Sequence, residues 1–421
     1  MGSAKPHQIS CQNVTRCAGS NPCSSIGDQF GQIELVAVIG VIAEEGHKVK
    51  FRVERDVLAD GVAWSARALP NRPSIPTLSG LLISADEHDL TLSGFDLENA
   101  AQVEVDATID EPGRVLVSGR LLADISRSLP NQPVVFATEG SRIELQCGRS
   151  SFVLPTLPVD EYPALPDMPD PVGAVGGDRF AAAVAQVAIA AGRDDTLPML
   201  LGVRVEINDS KVTLAATDRY RLAVSEFTWR PDQPGFEGAA LVPAKILADT
   251  AKLLAHASEV SVAYAPGSAG EGLMGFAGDG RRTTTRLLDG EFPKYRQLLP
   301  EESSTVTTVD KATLVEAVKR VSLVAERNTP VRLTFSGDEV ALQAGSGDEA
   351  QATEALEGAT TGDAIEIAFN PHYLLDGLGA IESSDVKFSF TGSTRPAVLT
   401  PASGDGVDSY KYLLMPVRLS S

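Results

Sequence analysis

The sequence predicts an α+β protein made of three copies of one domain, and three observations lead there. A strand–turn–helix phrase recurs at a spacing of about 125 residues: Leu116 to Ser126, Leu241 to Ala251 and Ile367 to Leu378. A second refrain rich in Pro, Leu157 to Pro166 and Leu288 to Pro300, closes the first two copies. Between these phrases, apolar runs with strand character lie beside two helical stripes in each copy. Solenoid and propeller repeats run about 20–50 residues, so the period here is that of a whole domain. Two helices beside antiparallel strands, repeated three times, make an α+β architecture.

Residues 1–48 read as an extension outside the fold, followed by copies at 49–170, 171–301 and 302–421. In the first copy Lys50 to Glu54 is a strand. Arg55 to Leu69 is a helix because Val57, Leu58, Val62, Trp64 and Leu69 form a stripe. Strands follow at Gly80 to Ser84, Leu90 to Ser93 and Val103 to Ile109. A helix over Arg120 to Leu129 precedes strands at Val134 to Thr138, Ile143 to Cys147 and Ser151 to Leu154. The second copy has helices at Asp178 to Ala191 and Pro243 to Ala255. Its strands fall at Val203 to Ile207, Val212 to Ala216, Val260 to Tyr264, Leu273 to Ala277 and Thr283 to Leu287. The third has helices at Lys311 to Arg327 and Pro371 to Ile381. Its strands fall at Val331 to Phe335, Val340 to Ala344, Val386 to Phe390, Ala397 to Thr400 and Tyr412 to Pro416. The Pro-rich stretches Pro155 to Pro171 and Phe292 to Pro300 are the linkers.

Three of the four cysteines, Cys11, Cys17 and Cys23, crowd into the extension, at a spacing that does not match common zinc sites. One cysteine in the repeats, Cys147, points to a reducing, cytoplasmic setting. The apolar run Ile33 to Ala43 carries Glu34 and is too short to span a bilayer. It lacks the basic flank and small-residue cleavage site of a signal peptide, and no membrane partner is expected.

The formal net charge of −20 argues against anionic partners, but its distribution does not. The six predicted helix segments hold 13 Lys or Arg against 11 acids, so they sum to about +2 and the rest of the chain to about −22. The acidity lives on strands and loops. If the copies join edge to edge into a curved sheet, one layer holds all the helices and presents a near-neutral to basic face to whatever lies inside the curve.

Chemistry is otherwise sparse. The five histidines have neither metal-ligand spacing nor a neighbouring nucleophile, and no phosphate-binding or nucleophile-elbow motif stands in context. Asp194-Asp195, flanked by Arg193, reads as a solvated helix end rather than a metal site. No catalytic residue, metal or cofactor is expected.

Over residues 50–419 the chain resembles the bacterial sliding clamp, the β subunit of DNA polymerase III. The motifs that carry the resemblance are Ala216-Thr-Asp-Arg-Tyr-Arg-Leu-Ala223 and Tyr412-Leu-Leu-Met-Pro-Val-Arg-Leu419, supported by Arg72 to Leu78 and Phe369 to Asp376. Ala190 to Met199 looks actinobacterial. The resemblance implies three DNA-clamp domains per chain and a head-to-tail homodimer forming a six-domain ring, with helices lining the hole. The partner inside is double-stranded DNA, held without sequence readout. The family's DNA-contacting positions map to Arg72, Arg120, Arg127 and Arg193, and its dimer contact joins Phe152 and Leu154 to Leu323.

The family's partner pocket takes a Gln-x-x-Leu-Phe-like motif from the replicative polymerase, the clamp loader, other polymerases and repair proteins. It maps to Leu200, Thr217, Arg219, Tyr220, Arg221, Leu222, Pro243 and Leu247 on one side. Asn370, Tyr373, Pro396, Leu413, Met415, Pro416, Val417, Arg418 and Leu419 form the other. Leu, Met and Pro would give an apolar slot, and Arg221 and Arg418 would bond the motif's backbone or carboxylates. Two departures stand out: Arg219-Tyr220 replaces the Gly-His of many members, and Ser420-Ser421 extend past the Leu that often ends the chain. The function implied is that of a non-catalytic processivity factor. A duplicated clamp protecting against a pocket inhibitor is the alternative, and an enzyme with its active site at a repeat interface is the remote one.

Overall fold

In the first copy, the strand Gly113–Ser118 and the helix Gly119–Ser128 show how the sequence builds each repeat: a β-rich apolar run followed by an amphipathic stripe. The computed structural model describes residues 48–267, 271–300, 302–324, 329–345, 350–403 and 409–418. Residues 1–47 of the extension with its three cysteines, Arg327, Leu419 and Ser420-Ser421 lie outside the described residues. Among the described residues, six α-helices come in three packed pairs: α1 (Arg55–Ser65) with α2 (Gly119–Ser128), α3 (Gly177–Ala188) with α4 (Ala244–Leu253), and α5 (Lys311–Val321) with α6 (Pro371–Gly379).

The predicted helices are present but shorter at their C-termini. The one beginning at Arg55 ends at Ser65 and passes into a 3-10 turn over Ala66–Ala68, and the one beginning at Lys311 passes into a 3-10 turn over Ser322–Val324. Among the described residues, side-chain N-capping of the α-helices is confined to the third copy. Asp310 accepts from the Thr313 N–H at 2.7 Å to start α5, and Asn370 accepts from the His372 N–H at 2.9 Å to start α6, which opens on Pro371. The Lys311 ammonium donates to the Ile381 carbonyl just past α6, where a cation suits the helix dipole.

The strands assemble into sheets that run across copy boundaries. Strand Arg281–Arg286 of the second copy pairs antiparallel with Asn99–Val105 of the first, within a 14-stranded sheet. Strand Ser409–Leu414 of the third pairs with Arg221–Thr228 of the second, within a 9-stranded sheet. A 4-stranded sheet ends on Ala352–Glu357, which pairs on one side only. Both seams obey one rule: the last strand of one copy's first sheet joins the outer strand of the preceding copy's second sheet.

Apolar residues of these sheets form one large core beneath the helices, and two smaller clusters lie apart from it, one spanning the second-to-third seam and one within the first copy. Within the third copy, Gly377 lets α6 approach Ser409–Leu414, the strand that forms the second-to-third seam: a Cβ there would stand 2.3 Å from the Tyr412 ring. The Tyr412 hydroxyl donates to the Tyr373 carbonyl of α6 at 2.8 Å.

Candidate functional site

The signature Thr217-Asp218-Arg219-Tyr220-Arg221 is a tight turn between the strand Lys211–Thr217 and the seam-forming strand Arg221–Thr228. The Asp218 carboxylate accepts from the N–H groups of Tyr220 and Arg221, each at 3.0 Å, and Thr217 Oγ1 accepts from the Arg219 N–H at 3.2 Å. This closure holds Arg219 at φ 80°, the left-handed region that L side chains seldom adopt. The turn is tied to the chain's end by the Met415 N–H, which donates to the Tyr220 carbonyl at 2.9 Å.

Beside the turn opens a cleft of about 620 Å³ between the second and third copies. Its floor is Arg221, only 4% exposed. The guanidinium donates from Nε to Asp218 at 3.0 Å and from a terminal nitrogen to Asp376 of α6 at 2.5 Å, and lies 4.4 Å from the centroid of the Tyr373 ring. Burial works against its charge, but Tyr412, Asp376 and Asp218 outweigh burial and push its pKa up. Tyr220 and Tyr373 stack with centroids 6.2 Å apart at the rim. The remaining walls include Arg193, Leu197, Leu200 and His372.

Of the residues assigned from sequence to a partner pocket, Leu200, Arg219, Tyr220, Arg221 and Tyr373 line this cleft. Arg221 is corrected in role: two carboxylates and a ring occupy its guanidinium, so it is a strut of the seam and not a free donor. Thr217, Leu222 and Leu413 are interior, with Leu222 and Leu413 directly paired across the seam. Leu247 is also corrected: at 1% exposure it belongs to the core of the second copy, on the inward face of α4, and does not reach the cleft. Pro243 sits half-buried just before that helix, paired with Gly202. The Asn370 side chain is committed to capping α6, and Pro396 is half-buried in the turn before Ala397–Pro401. Met415, Val417 and Arg418 are exposed, and Pro416 is half-buried, along the terminal segment. The Val417 N–H anchors that segment to the Ala368 carbonyl at 2.8 Å.

Sequence reasoning missed Leu298. It is 52% exposed on the 3-10 turn Tyr295–Leu298, whose Tyr295 packs with Leu222 and Leu413. An apolar residue in the second linker refrain, one residue after a polar stretch, was its only signal. The turn is latched by Glu206, which accepts from the Tyr295 hydroxyl at 3.0 Å and from Arg296 at 2.6 Å. Burial pushes the Glu206 carboxyl up, but these donors outweigh burial and hold it below its ordinary value. A depressed folded pKa gives stability that is present above the unfolded pKa and fades as pH falls through the folded one. Glu206→Gln is therefore expected to lower stability at neutral pH, with the difference from the unsubstituted chain vanishing as pH falls below about 4.5, as read by urea unfolding across pH.

The four cations assigned to DNA divide. Arg72 is exposed, Arg120 donates to the Pro70 carbonyl and Asn71, and Arg127 pairs with Asp124 while remaining 66% exposed. Arg193 instead lines the cleft. The dimer residues also divide. Leu323 is 84% exposed, Phe152 is half-buried against the core, and Leu154 is corrected because, at 2% exposure, it is already enclosed in its own copy. Alternation along Ser150–Leu157 turns Val153 outward instead, at 60% exposure.

Family models of the DNA polymerase III beta subunit match the chain three times: the N-terminal domain over residues 49–166, the central domain over 174–294 and the C-terminal domain over 296–418. The chain is 59% identical over 375 residues to the beta sliding clamp of Streptomyces coelicolor, covering 88% of this chain and 100% of that one. It is 46% identical over 374 residues to the beta sliding clamp homolog GriR of Streptomyces muensis, covering 88% and 99%. Among solved structures, the Bacillus subtilis DNA polymerase sliding clamp aligns with TM-score 0.82 at 26% identity, covering 89% of this chain and 100% of that chain. The Pseudomonas aeruginosa sliding clamp bound to griselimycin aligns with TM-score 0.81 at 28% identity, covering 88% and 100%. The chain belongs to the DNA polymerase III beta subunit family, the beta sliding clamps of bacteria.

Proposed function

We propose that two copies of this clamp close head to tail into a ring of six domains around duplex DNA, and that the cleft beside Arg221 receives linear motifs from the polymerase and other partners. The chain is a non-catalytic processivity subunit of DNA polymerase III. The observation that carries the ring is the seam rule. Strand Ala352–Glu357 is the third copy's counterpart of Asn99–Val105 and Arg221–Thr228, and its outer edge lacks a partner among the described residues. The first copy's Ser150–Leu157 corresponds to Arg281–Arg286, and beyond its short pairing at Thr156 and Leu157 its outer edge is likewise unpaired. A second chain supplies the missing partner at each end, burying Val153 near Leu323. An unpaired edge strand invites this kind of completion.

Inside the ring, exposed Arg67, Arg72, Lys245 and Lys252 offer charge to phosphates without base readout. The greater identity to the Streptomyces coelicolor clamp than to GriR favours the clamp itself over a duplicated copy. The test is topological: the protein should remain on nicked circular DNA and leave when the circle is linearised. Equal retention on both forms overturns encirclement.

A further inference from the structure

The turn at the cleft has a twin in the first copy, and the two differ in charge. Asp96-Leu97-Glu98-Asn99 repeats the geometry of Asp218-Arg219-Tyr220-Arg221. The Asp96 carboxylate accepts from the N–H groups of Glu98 at 2.9 Å and Asn99 at 2.6 Å, as Asp218 does from Tyr220 and Arg221. Leu97 stands at φ 83° where Arg219 stands at 80°. The left-handed residue therefore belongs to the fold, since both copies place a side chain there despite its cost. What differs is the pair of side chains at the tip: Leu97 and Glu98, apolar and acidic, in the first copy, and Arg219 and Tyr220, cationic and aromatic, in the second.

The hydrogen bonds of the cleft show which charges are already spent. Asp218 accepts from two backbone N–H groups and from Arg221, and Asp376 accepts from Arg221. Asp194 accepts from the N–H and the hydroxyl of Thr196 at 3.0 and 2.7 Å. These bonds hold its carboxyl below the ordinary range, and Arg219 adds a smaller pull. Arg193 and Arg219, by contrast, are exposed and carry no ion pair among the described residues. The Arg219 guanidinium stands 6.0 Å from the centroid of the Tyr220 ring. Formal charge around the cleft cancels, yet each carboxylate already has at least one oxygen bonded and Arg221 is spent on the seam, while Arg193 and Arg219 stay open. An arriving carboxylate finds two planar N–H forks, whereas an arriving ammonium competes with donors already on the carboxylates.

We propose that Arg219, aided by Arg193, makes the cleft selective for linear segments carrying an Asp or Glu side chain beside their apolar anchors. This rests on the cleft being the partner site, and the experiment separates the two ideas. Binding of the full chain is measured by fluorescence anisotropy to two Gln-x-x-Leu-Phe peptides, both amidated at the C-terminus, one flanked by Asp and its twin by Asn. The Asp peptide is expected to bind about fivefold tighter at low salt, the scale of a partly screened ion pair. The ratio should fall below twofold in Arg219→Gln and in high salt, and recover in part in Arg219→Lys. Equal affinity of the wild type for both peptides overturns the selectivity. So does a fivefold ratio that survives Arg219→Gln, whatever the absolute affinities. Binding of neither peptide overturns the cleft reading and the selectivity with it.

Discussion

Glutamate at both Val153 and Leu323 is expected to halve the native mass, from about twice 44.3 kDa to 44.3 kDa. Both side chains are apolar and outward, at 60% and 84% exposure: Val153 on the strand Ser150–Leu157 with its open outer edge, and Leu323 on the 3-10 turn after α5, the helix that packs against the edge strand Ala352–Glu357. Burying a Val or Leu contributes about 1.5–3 kcal/mol, and a carboxylate forced into the same contact costs several more. The loss should weaken association by about a thousandfold or more. Light scattering or sedimentation reads the mass directly. The substituted chain should keep its fold, because neither side chain contributes to the core. It should no longer be retained on circular DNA. A particle that stays dimeric would place the interface elsewhere.

Arg221→Ala is expected to lower stability by about 2–4 kcal/mol. The substitution removes a buried cation whose partners remain: Asp218, 13% exposed, loses its counter-charge, while Asp376, at 46%, is eased by solvent. The Tyr373 ring loses the guanidinium resting on it, and the Tyr220–Tyr373 rim loses its floor. Arg221→Lys should recover less than half of the loss, since an ammonium cannot bond both carboxylates in the same plane. Urea unfolding monitored at the two tyrosines checks this. Partner-peptide binding should fail in both variants while the native mass stays dimeric, because the seam between the second and third copies is not the seam between chains.

The repeat, the helix pairs and the cleft's cationic turn were legible because each has a local signature: a recurring phrase, a 3.6-residue stripe, an Asx turn. The seams were not. Arg221–Thr228 is buried on nearly every residue, so it lacks the alternation that marks a half-exposed strand. Ala352–Glu357, Ala-Thr-Glu-Ala-Leu-Glu, has the composition of a helix and becomes a strand through tertiary pairing. Both decide how the copies join, and neither announces itself. The misplacement of Leu247 has a similar origin. Motif position alone cannot tell the inward face of α4 from its outward face, whereas the period of α4 turns Leu247 into the core with Ala244, Thr250 and Ala251. Leu298 escaped because an exposed leucine in a linker is ordinary until the linker is seen to be pinned over a seam.

The three helix pairs do not contribute equally to the ring. In α5, Lys311 is spent on the Ile381 carbonyl, Lys319 on Glu316 and Arg320 on Glu354, and α6 carries no Lys or Arg at all. The exposed cations without an ion pair among the described residues on this layer, Arg67, Arg72, Lys245 and Lys252, therefore gather on the first two copies. In a ring of two chains these become two attractive arcs separated by two quiet ones. A duplex threaded through it would lean toward an arc instead of hanging on the axis, and in crossing a quiet sector it would rock from one arc to the other. Processive travel on such a bearing would be a wobbling glide, its tilt set by ionic strength.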